Sequence, residues 1–532
     1  MSWSSSKRIR EIARALYEYG FFSLLEKLNL LPSLPFHQRI VSKESSRADP
    51  QKIVSLFERL GGAFIKLGQV LALRPDLIGK EYSVAFEKLL DGVQSLSCSQ
   101  IKGELGSLSF ASFDHVCLGS GSIAQVHRAV LHSGEVVAVK IRRPGVVDVF
   151  HEDIALLEKA ARLLAKRKLL SFVDVEEVVA VFKRYTLKEL DFSHEALALQ
   201  RFAKHFKGYK GVRIPKVYSS LSSSSVLVME FVGGEKLEHC TFTKKEGEKI
   251  VSLLSSAVYK MIFEDRFFHA DLHPGNILYE KGTLTFLDFG IVGMIDEELE
   301  AKLFSLFSGL VRGDLGAVSS ALIDLHIGDN EVDEQVLRDG IVQVLGDYYD
   351  RSLKEMNFGE IFYGAVDVAR MSHLKLPSQL VLFGKSLVTM EGFCRAVSPS
   401  FNIVRDAKPY VEKLAGRQLK KSLSVGEMKR SLVSAYLGAS KLPKLFTQSL
   451  RRFGVIEKNI VDIDSTFNRL TDVIWLAAKS FSLTILFAVF FVAGVLLLET
   501  GLLFYGISLV ALLCFFVSFL LLFGLISLLR KE

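Results

Sequence analysis

Two short stretches in the middle of this 532-residue chain decide its fold, HADLHPGNIL at residues 269–278 and LTFLDFG at residues 284–290. In the first stretch, Asp271 and Asn276 lie five residues apart on a predicted loop, and Asp288 follows twelve residues after Asn276. This spacing is typical of a phosphotransferase catalytic loop followed by a metal-binding DFG. We expect Asp271 to orient the nucleophile, and Asn276 and Asp288 to hold Mg²⁺ against the phosphates of a nucleotide.

The two histidines of the first stretch, His269 and His273, also invite a zinc interpretation. The neighbouring sequence contains no thiol and no third histidine. The carboxylate and amide oxygens beside the two histidines are hard ligands, which favour Mg²⁺ over Zn²⁺. The sequence therefore predicts magnesium at this site.

A second candidate element lies upstream, where residues 117–140 read CLGSGSIAQVHRAVLHSGEVVAVK. The pattern predicts a strand, a turn of small residues, a second strand, and a third strand that carries a lysine. Small residues let backbone N–H groups approach phosphates, and a lysine on a strand gives them a fixed positive charge. The residues expected to bind the nucleotide here are Gly119, Ser120, Gly121, Ser122, Val126 and Lys140.

A lysine held among apolar strand residues needs a carboxylate partner. The stretch LKELDFSHEAL at residues 187–197, predicted to continue as a helix, offers three acids, namely Glu189, Asp191 and Glu195. Spacing alone leaves the choice open, because Glu189 and Glu195 are six residues apart and need not share a helix face.

A strand running into a glycine turn is predicted by SVLVMEFVGG at residues 225–234. It is either an ordinary edge strand or the hinge between two lobes. We favour the hinge, with the backbone of Glu230 and Val232 hydrogen-bonding an adenine.

Composition separates a charged body from an apolar end. Hydrophobic residues make up 49% of the chain although 23% are charged. Residues 481–498 and 502–529 contain no charged residue, and only Glu499-Thr500-Gly501 lies between them. Each run is long enough to cross a hydrocarbon core of about 30 Å as a helix. We predict a transmembrane hairpin, the alternative being a buried core hairpin.

The charge distribution predicts how the hairpin is oriented. Residues 411–480 are rich in lysine and arginine, the chain closes with Arg530 and Lys531, and the short connection carries only Glu499. The positive-inside rule then puts both ends and the whole body on the cytoplasmic face of the inner membrane, as a multi-pass protein. The basic segment either rests on anionic lipid or forms a solvated surface. The five scattered cysteines indicate free thiols in a reducing compartment.

Near the N-terminus the sequence lacks the uninterrupted apolar core of a signal peptide. Apolar residues instead recur at helical spacing between Ile9 and Leu28. This pattern predicts an amphipathic helix, which lies either on a membrane or on its own domain.

The motif Lys66-Leu67-Gly68-Gln69, within GGAFIKLGQVLALRPDLIG at residues 61–79, resembles the KxGQ motif of the UbiB family, the ADCK-type atypical protein-kinase-like proteins. The resemblance spans residues 60–402. Glu189-Leu190-Asp191 is similar to the family's ExD element, and Glu195 to its helix-C glutamate. Leu376-Pro377 and Glu391-Gly392-Phe393 are similar to its C-terminal helical signature.

The resemblance implies an α+β, two-lobed protein-kinase-like fold with an N-terminal helical extension folded over the site where a protein substrate would bind. In that arrangement Glu195 pairs with Lys140. Lys66 and Gln69 face the cleft near Glu189, Asp191 or Asp288, as regulatory residues. The predicted parts are an N-terminal extension with KxGQ (1–110), an N-lobe with a helical insertion (111–235), a C-lobe (236–410), a basic helical juxtamembrane segment (411–480) and the transmembrane hairpin (481–529).

The family also implies a function in ubiquinone, or isoprenoid quinone, biosynthesis. We expect a membrane-anchored enzyme that binds ATP and Mg²⁺ and hydrolyses the ATP or phosphorylates a small lipophilic molecule. The alternatives are a nucleotide-gated, non-catalytic scaffold and a small-molecule kinase of the aminoglycoside or choline type. Expected partners are membrane lipids, a lipophilic quinone precursor and other quinone-biosynthesis enzymes, and no nucleic acid.

One departure from related sequences and one from ordinary kinases carry further expectations. Relatives have an alanine-rich AAAS loop where this chain has Gly119-Ser120-Gly121-Ser122, so we expect phosphates to be held as in ordinary kinases. The 55-residue separation of Lys140 and Glu195 indicates an insertion. No APE segment follows DFG, so a standard peptide-docking activation loop is not expected.

Overall fold

The computed structural model describes residues 3–34, 49–89, 95–166, 174–328, 331–349, 357–403, 405–410, 412–413, positions 483, 486–487 and 490–491, and residues 503–504 and 507–529. The chain divides into two compact units, Met1–Gln418 and Leu419–Glu532. The predicted juxtamembrane segment 411–480 lies outside the described residues except for positions 412–413. The first predicted span, 481–498, is likewise described only at the positions given above.

The strands of the first unit are β1 (Ser112–Ser120), β2 (Ala124–Val130), β3 (Val136–Arg142), β4 (Val212–Arg213), β5 (Val226–Glu230), β6 (Glu235–Lys236), β7 (Phe267–His269), β8 (Ile277–Glu280), β9 (Thr283–Phe286) and β10 (Val292–Met294). An antiparallel sheet in the order β1-β2-β3-β5 forms the N-lobe. A second sheet, in the order β4-β9-β8-β6, belongs to the C-lobe, and β7 pairs with β10.

The alternation of side chains along β3 determines the face of the sheet on which Lys140 lies. Val137, Val139 and Ile141 are buried in one apolar cluster with residues of β5. Because successive side chains of a strand point to opposite faces, Lys140 lies on the other face of the sheet. Val126 of β2 is the register partner of Lys140 and shares that face. The predicted strand order around the nucleotide loop is therefore present.

The helices of the N-terminal extension are α1 (Trp3–Glu18), α2 (Phe22–Lys27), α3 (Pro50–Leu60), α4 (Gly62–Ala72), α5 (Pro75–Ile78), α6 (Lys80–Phe86) and α7 (Cys98–Ile101). The apolar stripe between Ile9 and Leu28 is two helices rather than one, because Gly20 has a φ of +80° and ends the first. Leu16 and Leu25 from this stripe are buried against Leu56 and Phe64. The stripe therefore packs on its own domain.

The insertion between Lys140 and Glu195 is helical. It comprises α8 (Val146–Lys166) and α9 (Val175–Glu189), and α10 (Phe192–His205) follows directly. The sequence predicts one continuous helix over residues 187–197, but the structure breaks it at Leu190-Asp191. Asp191 caps α10 by accepting a hydrogen bond from the Ser193 N–H at 2.9 Å, and such a cap favours a new helix start.

The helices of the C-lobe and the region after it are α11 (Lys244–Tyr259), α12 (Glu297–Arg312), α13 (Leu315–Asp324), α14 (Glu334–Tyr349), α15 (Phe358–Met371) and α16 (Ser378–Val397). After the DFG residues the chain enters β10 and then α12, whose N-cap is Asp296. The short connection leaves little room for an extended activation loop, in line with the missing APE segment.

The second unit contains α17 (Leu509–Leu529), preceded by the paired strands β11 (Leu503–Phe504) and β12 (Ile507–Ser508). The sequence predicts a helix from Leu502 onward, so this helix begins seven residues later than expected. Counting only the residues whose side chains the structure describes, no helix is long and apolar enough to cross a membrane.

Candidate active site

An ion cluster joins the two lobes at the lysine of β3. The Nζ atom of Lys140 donates to both carboxylate oxygens of Glu195, at 3.0 and 2.8 Å, and lies 3.8 Å from Oδ1 of Asp288. The carboxylate of Glu195 is buried, whereas Asp288 is about half exposed (52%) toward the cleft. Of the three acids that the sequence offered, Glu195 is thus the one that contacts Lys140.

Charges within this cluster control its protonation. Burial disfavours the charged form of Lys140, but Asp288 and Glu195 outweigh that effect and raise the pKa of Lys140. Burial raises the pKa of Glu195, and Lys140 opposes this rise. Lys140 holds the pKa of Asp288 at about 2, so this carboxylate is ionised at neutral pH.

The catalytic-loop acid and amide are in contact. Nδ2 of Asn276 donates to Oδ2 of Asp271 at 2.9 Å and to the Asp271 carbonyl oxygen at 3.3 Å. With Nδ2 engaged in this way, Oδ1 of Asn276 remains as an oxygen ligand. The Leu287 N–H donates to the Asn276 carbonyl oxygen at 2.8 Å, which brings the residue before Asp288 to Asn276. An amide oxygen and an ionised carboxylate are oxygen ligands that suit Mg²⁺, so the residues present fit the expected ion.

His269 has a positioning role in this loop. Its Nε2 donates to the Leu287 carbonyl oxygen at 2.9 Å, and its Nδ1 accepts from the Asp271 N–H at 3.1 Å. The buried ring therefore ties the catalytic loop to the residue just before Asp288. Nδ1 of His273 accepts from the Gly275 N–H at 3.1 Å, which caps a short 3₁₀ turn. Within the described ranges no cluster of three or more His, Cys, Asp or Glu side chains could hold a metal ion.

The DFG residues adopt a strained turn. Asp288 has a φ of +50°, in the left-handed region that non-glycine residues seldom occupy, and its Oδ1 accepts from the Gly290 N–H at 3.2 Å. Phe289 is buried between Phe202 of α10 and His269, with ring centroids 4.7 and 5.0 Å away. This packing links the position of α10, which carries Glu195, to that of Asp288.

The KxGQ lysine reaches the edge of the same cluster. Nζ of Lys66, on α4, lies 2.6 Å from Oε1 of Glu189, the last residue of α9. Both side chains are largely buried, and burial raises the pKa of Glu189 while Lys66 opposes the rise. Oε2 of Glu189 is buried without a hydrogen-bond partner in the described part of the chain. Because α9 ends here and α10 restarts, Glu189 and Glu195 both reach the cluster despite their six-residue separation.

Two other predicted regulatory residues lie elsewhere. Nε2 of Gln69 donates to the Leu89 carbonyl oxygen at 3.4 Å, a contact within the extension. Asp191 is the N-cap of α10 rather than a neighbour of Lys66. These contacts place Gln69 within the extension and Asp191 at the start of α10, and a regulatory role for either residue stays a prediction.

The nucleotide loop is anchored by Arg143, which the sequence analysis did not single out. Its guanidinium donates to the Gly121 carbonyl oxygen at 2.8 Å and to Oγ of Ser120 at 2.6 Å. Within the turn, the Gly121 N–H donates to the Ala124 carbonyl oxygen at 2.8 Å. Oγ of Ser122 is buried and lacks a hydrogen-bond partner among the described residues. Gly119 lies in β1, in register with Val126.

The predicted hinge is the end of β5. The Glu230 N–H donates to the Lys216 carbonyl oxygen at 2.8 Å, and its carboxylate pairs with Arg213 at 2.6 Å. The Glu230 amide is thus engaged within the protein. Val232 follows at the start of the glycine turn and is partly exposed.

The C-terminal helices support the catalytic loop. Oγ of Ser386, on α16, donates to the His269 carbonyl oxygen at 3.2 Å. Glu391 of the same helix accepts hydrogen bonds from the N–H groups of Phe358 and Gly359, which start α15. Lys385 contacts Glu87 of the extension and the Tyr363 hydroxyl. Glu391 had been expected only as part of a family signature, and the structure gives it a capping role.

Comparison with known families agrees with this arrangement. Residues 93–322 match the ABC1 atypical kinase-like domain, and residues 341–402 match the UbiB helical domain. The first match covers both lobes and the ion cluster. The second covers α15 and α16, whose contacts with the catalytic loop and the extension are described above.

Three similar proteins are described only as uncharacterised. One, from Clostridium pasteurianum and described as an uncharacterised protein in the hydrogenase 1 5′ region, is 30% identical over 77% of this chain and 76% of its own length. Two more come from Synechocystis sp. One is 29% identical over 80% of this chain and 77% of its own length. The other is 32% identical over 64% of this chain and 89% of its own length. A solved complex of Rv3197 with erythromycin, from Mycobacterium tuberculosis, is 21% identical with a TM-score of 0.44, covering 68% of this chain and 93% of that one.

The two domain matches and the Clostridium relative together show that this chain belongs to the ABC1/UbiB family of atypical kinase-like proteins.

Proposed function

We propose that this protein binds MgATP between its lobes and transfers the γ-phosphoryl group to water or to a small lipophilic acceptor. The observation that carries the proposal is the cluster of Lys140, Glu195 and Asp288, in which an ionised carboxylate faces the cleft beside a charged lysine. Phosphoryl transfer depends on such positioning and charge stabilisation more than on covalent chemistry.

Each side chain has one expected task. Lys140, held by Glu195, contacts the nucleotide phosphates, and the anchored turn at Gly121 and Ser122 covers them. Asn276 and Asp288 hold Mg²⁺, which neutralises charge that develops on the phosphate oxygens. Asp271, fixed by Asn276, orients the attacking hydroxyl or water.

A specific observation also favours a second candidate, the nucleotide-gated scaffold. Lys66 and Glu189 hold the extension against the cluster through a short, shielded ion pair. An extension fixed in this way restricts access of an acceptor to the cleft. Nucleotide binding would then alter the surface that the extension offers to partner enzymes, with little or no turnover.

The membrane and pathway assignments rest on other grounds. The two uncharged runs over residues 481–498 and 502–529 support anchoring to the inner membrane. A role in isoprenoid quinone biosynthesis is suggested by the family alone. A membrane-anchored kinase or ATPase suits a lipophilic quinone precursor, because such a substrate resides in the bilayer.

The experiment that tests the proposal compares full-length protein with Asp271→Asn in anionic liposomes. We expect both proteins to bind MgATP with similar affinity, and hydrolysis to fall at least about a hundredfold in the variant. Equal hydrolysis in the two proteins would contradict the assigned role of Asp271. MgATP binding without hydrolysis by the wild type would favour the scaffold.

A further inference from the structure

A shallow cavity of about 740 Å³, wide open to solvent, lies on the C-lobe surface between α11 and the loop that precedes β4. Its wall from the loop comprises Tyr209 and Lys210. Its wall from α11 comprises Lys245, Glu248, Lys249, Leu253 and two serines. No lining residue belongs to the catalytic cluster, so the cavity is a separate feature of the protein.

The cavity is positively charged and rich in hydrogen-bond donors. It has three ammonium groups against the single carboxylate of Glu248. In the described part of the chain, none of these lysines has an ion-pair partner within 4 Å, although Lys249 does act electrostatically on Glu246. Two serine hydroxyls and the Tyr209 phenol are further donors. An anion with several acceptor oxygens therefore matches this lining.

The walls of the cavity are held by packing. Gly211 has a φ of +80°, and a Cβ atom at this position would lie 2.9 Å from the Leu253 side chain. Only glycine lets the loop approach α11 so closely. The ring of Tyr209 packs edge-on against Phe206, with centroids 5.3 Å apart. These contacts keep Lys210 opposite Lys245 and Lys249.

We propose that this cavity binds a phosphate ester, whose phosphate is held by Lys210, Lys245 and Lys249 and whose short apolar portion rests on Leu253 and Tyr209. A phosphate carries enough acceptor oxygens for several lysines and hydroxyls at once. The aromatic and aliphatic side chains favour an ester over inorganic phosphate, because they offer apolar surface.

The chemistry of the lining fits a membrane-borne ester as well as a soluble one. Tyr209 lies near Tyr410 and Glu264, both of which raise its pKa in addition to burial. Glu264 in turn pairs with Lys413 at 3.1 Å. From Lys413 the sequence continues into the basic segment that precedes the apolar runs. The ester is therefore either a phospholipid headgroup or a soluble metabolite with the same chemistry.

The test uses the full-length protein in detergent micelles with two probes. One arm titrates soluble glycerol 3-phosphate by calorimetry. The other adds phosphatidylglycerol with a photoreactive headgroup and maps the labelled peptides by mass spectrometry. Lys210→Gln/Lys249→Gln is compared with Lys52→Gln/Lys159→Gln, which removes two exposed lysines elsewhere. MgATP affinity, which depends on none of these residues, checks that both variants are folded.

Loss of the two cavity lysines is expected to weaken binding or labelling by roughly tenfold or more, because two of the three ammonium groups that hold the anion are removed. The control variant should behave as the wild type. If the cavity variant loses only glycerol 3-phosphate binding, the ligand is a soluble ester. If it loses only labelling by phosphatidylglycerol, the ligand is a lipid headgroup. The proposal is overturned if the cavity variant and the control variant respond alike in both arms.

Discussion

Lys66 of the KxGQ motif and Glu189 at the end of α9 form an ion pair of 2.6 Å, shielded from solvent and directly beside the catalytic cluster. Loss of one partner from a buried pair costs about 3–5 kcal/mol, because the other charge stays buried. We expect Lys66→Met to lower the melting temperature of the detergent-solubilised protein by several degrees. The double variant Lys66→Met/Glu189→Gln should recover much of the lost melting temperature.

The control for this pair is Lys183→Met, since Lys183 forms an ion pair of 2.8 Å with Glu158 that is much more exposed. Its effect should stay below about 1 kcal/mol. A Lys66→Met protein as stable as Lys183→Met would show that the extension is held by other contacts.

The pair of Lys140 and Glu195 should govern nucleotide affinity. In Glu195→Gln, Lys140 keeps its charge but loses the carboxylate that positions it. Hydrogen bonds to charged groups contribute about 1.5–3 kcal/mol, so the Kd for MgATP should rise roughly ten- to a hundredfold in Lys140→Met and somewhat less in Glu195→Gln. Binding of a fluorescent ATP analogue measures both. Unchanged affinity in Lys140→Met, with Lys183→Met as the reference, would remove Lys140 from the nucleotide site.

Arg143 should act on the nucleotide through the loop that it anchors. Arg143→Gln removes the hydrogen bonds to Gly121 and Ser120. Each bond contributes about 0.5–1.5 kcal/mol, and the glutamine amide recovers part of this energy. The Kd for MgATP should therefore rise about three- to tenfold. Arg143→Lys should not rescue the loss, because a single ammonium cannot reproduce the forked contact.

Arg338→Gln is the matched control for that experiment, since Arg338 of α14 forms an exposed ion pair with Glu334. We expect it to bind MgATP as the wild type does. If Arg143→Gln does the same, the loop is positioned without its guanidinium.

Glu391 should matter for stability and not for chemistry. Its carboxylate accepts the N–H groups of Phe358 and Gly359 at 3.1 and 2.9 Å. Replacement by alanine leaves these donors unsatisfied and should cost about 1–2 kcal/mol of unfolding free energy. Thermal unfolding with and without MgATP measures the loss and checks that the nucleotide still stabilises the variant. Asp367→Ala on α15, the helix whose first N–H groups Glu391 accepts, removes a surface pair with Arg370 and should be nearly neutral.

The sequence predicted the parts of the fold and site that depend on local spacing. The catalytic loop, the DFG segment and the lysine-bearing strand form short motifs, and the kinase-like fold that they indicated is confirmed by the ABC1 match. Lys66 was found through the family motif, because nothing in its local pattern points to Glu189, which lies over a hundred residues away.

Other features depend on contacts that local sequence does not encode. Arg143 stands just before a Pro-Gly turn, and only the fold brings its guanidinium to Gly121. The break at Leu190-Asp191 had a local signal, since aspartate is a favoured N-cap, but helical spacing on both sides masked it. Gly20 is a similar case, because a single glycine ended a stripe that was otherwise periodic.

The central claim, a working magnesium-dependent site at Asp288, is tested most directly by ATP hydrolysis in anionic liposomes over a Mg²⁺ titration. Full-length wild type is compared with Asp288→Asn and with Asp339→Asn, a change of the same kind at an exposed helix position. We predict turnover that rises with Mg²⁺ in the wild type and in Asp339→Asn, and that is lost in Asp288→Asn at every Mg²⁺ concentration. Turnover of Asp288→Asn equal to that of the wild type would contradict the account.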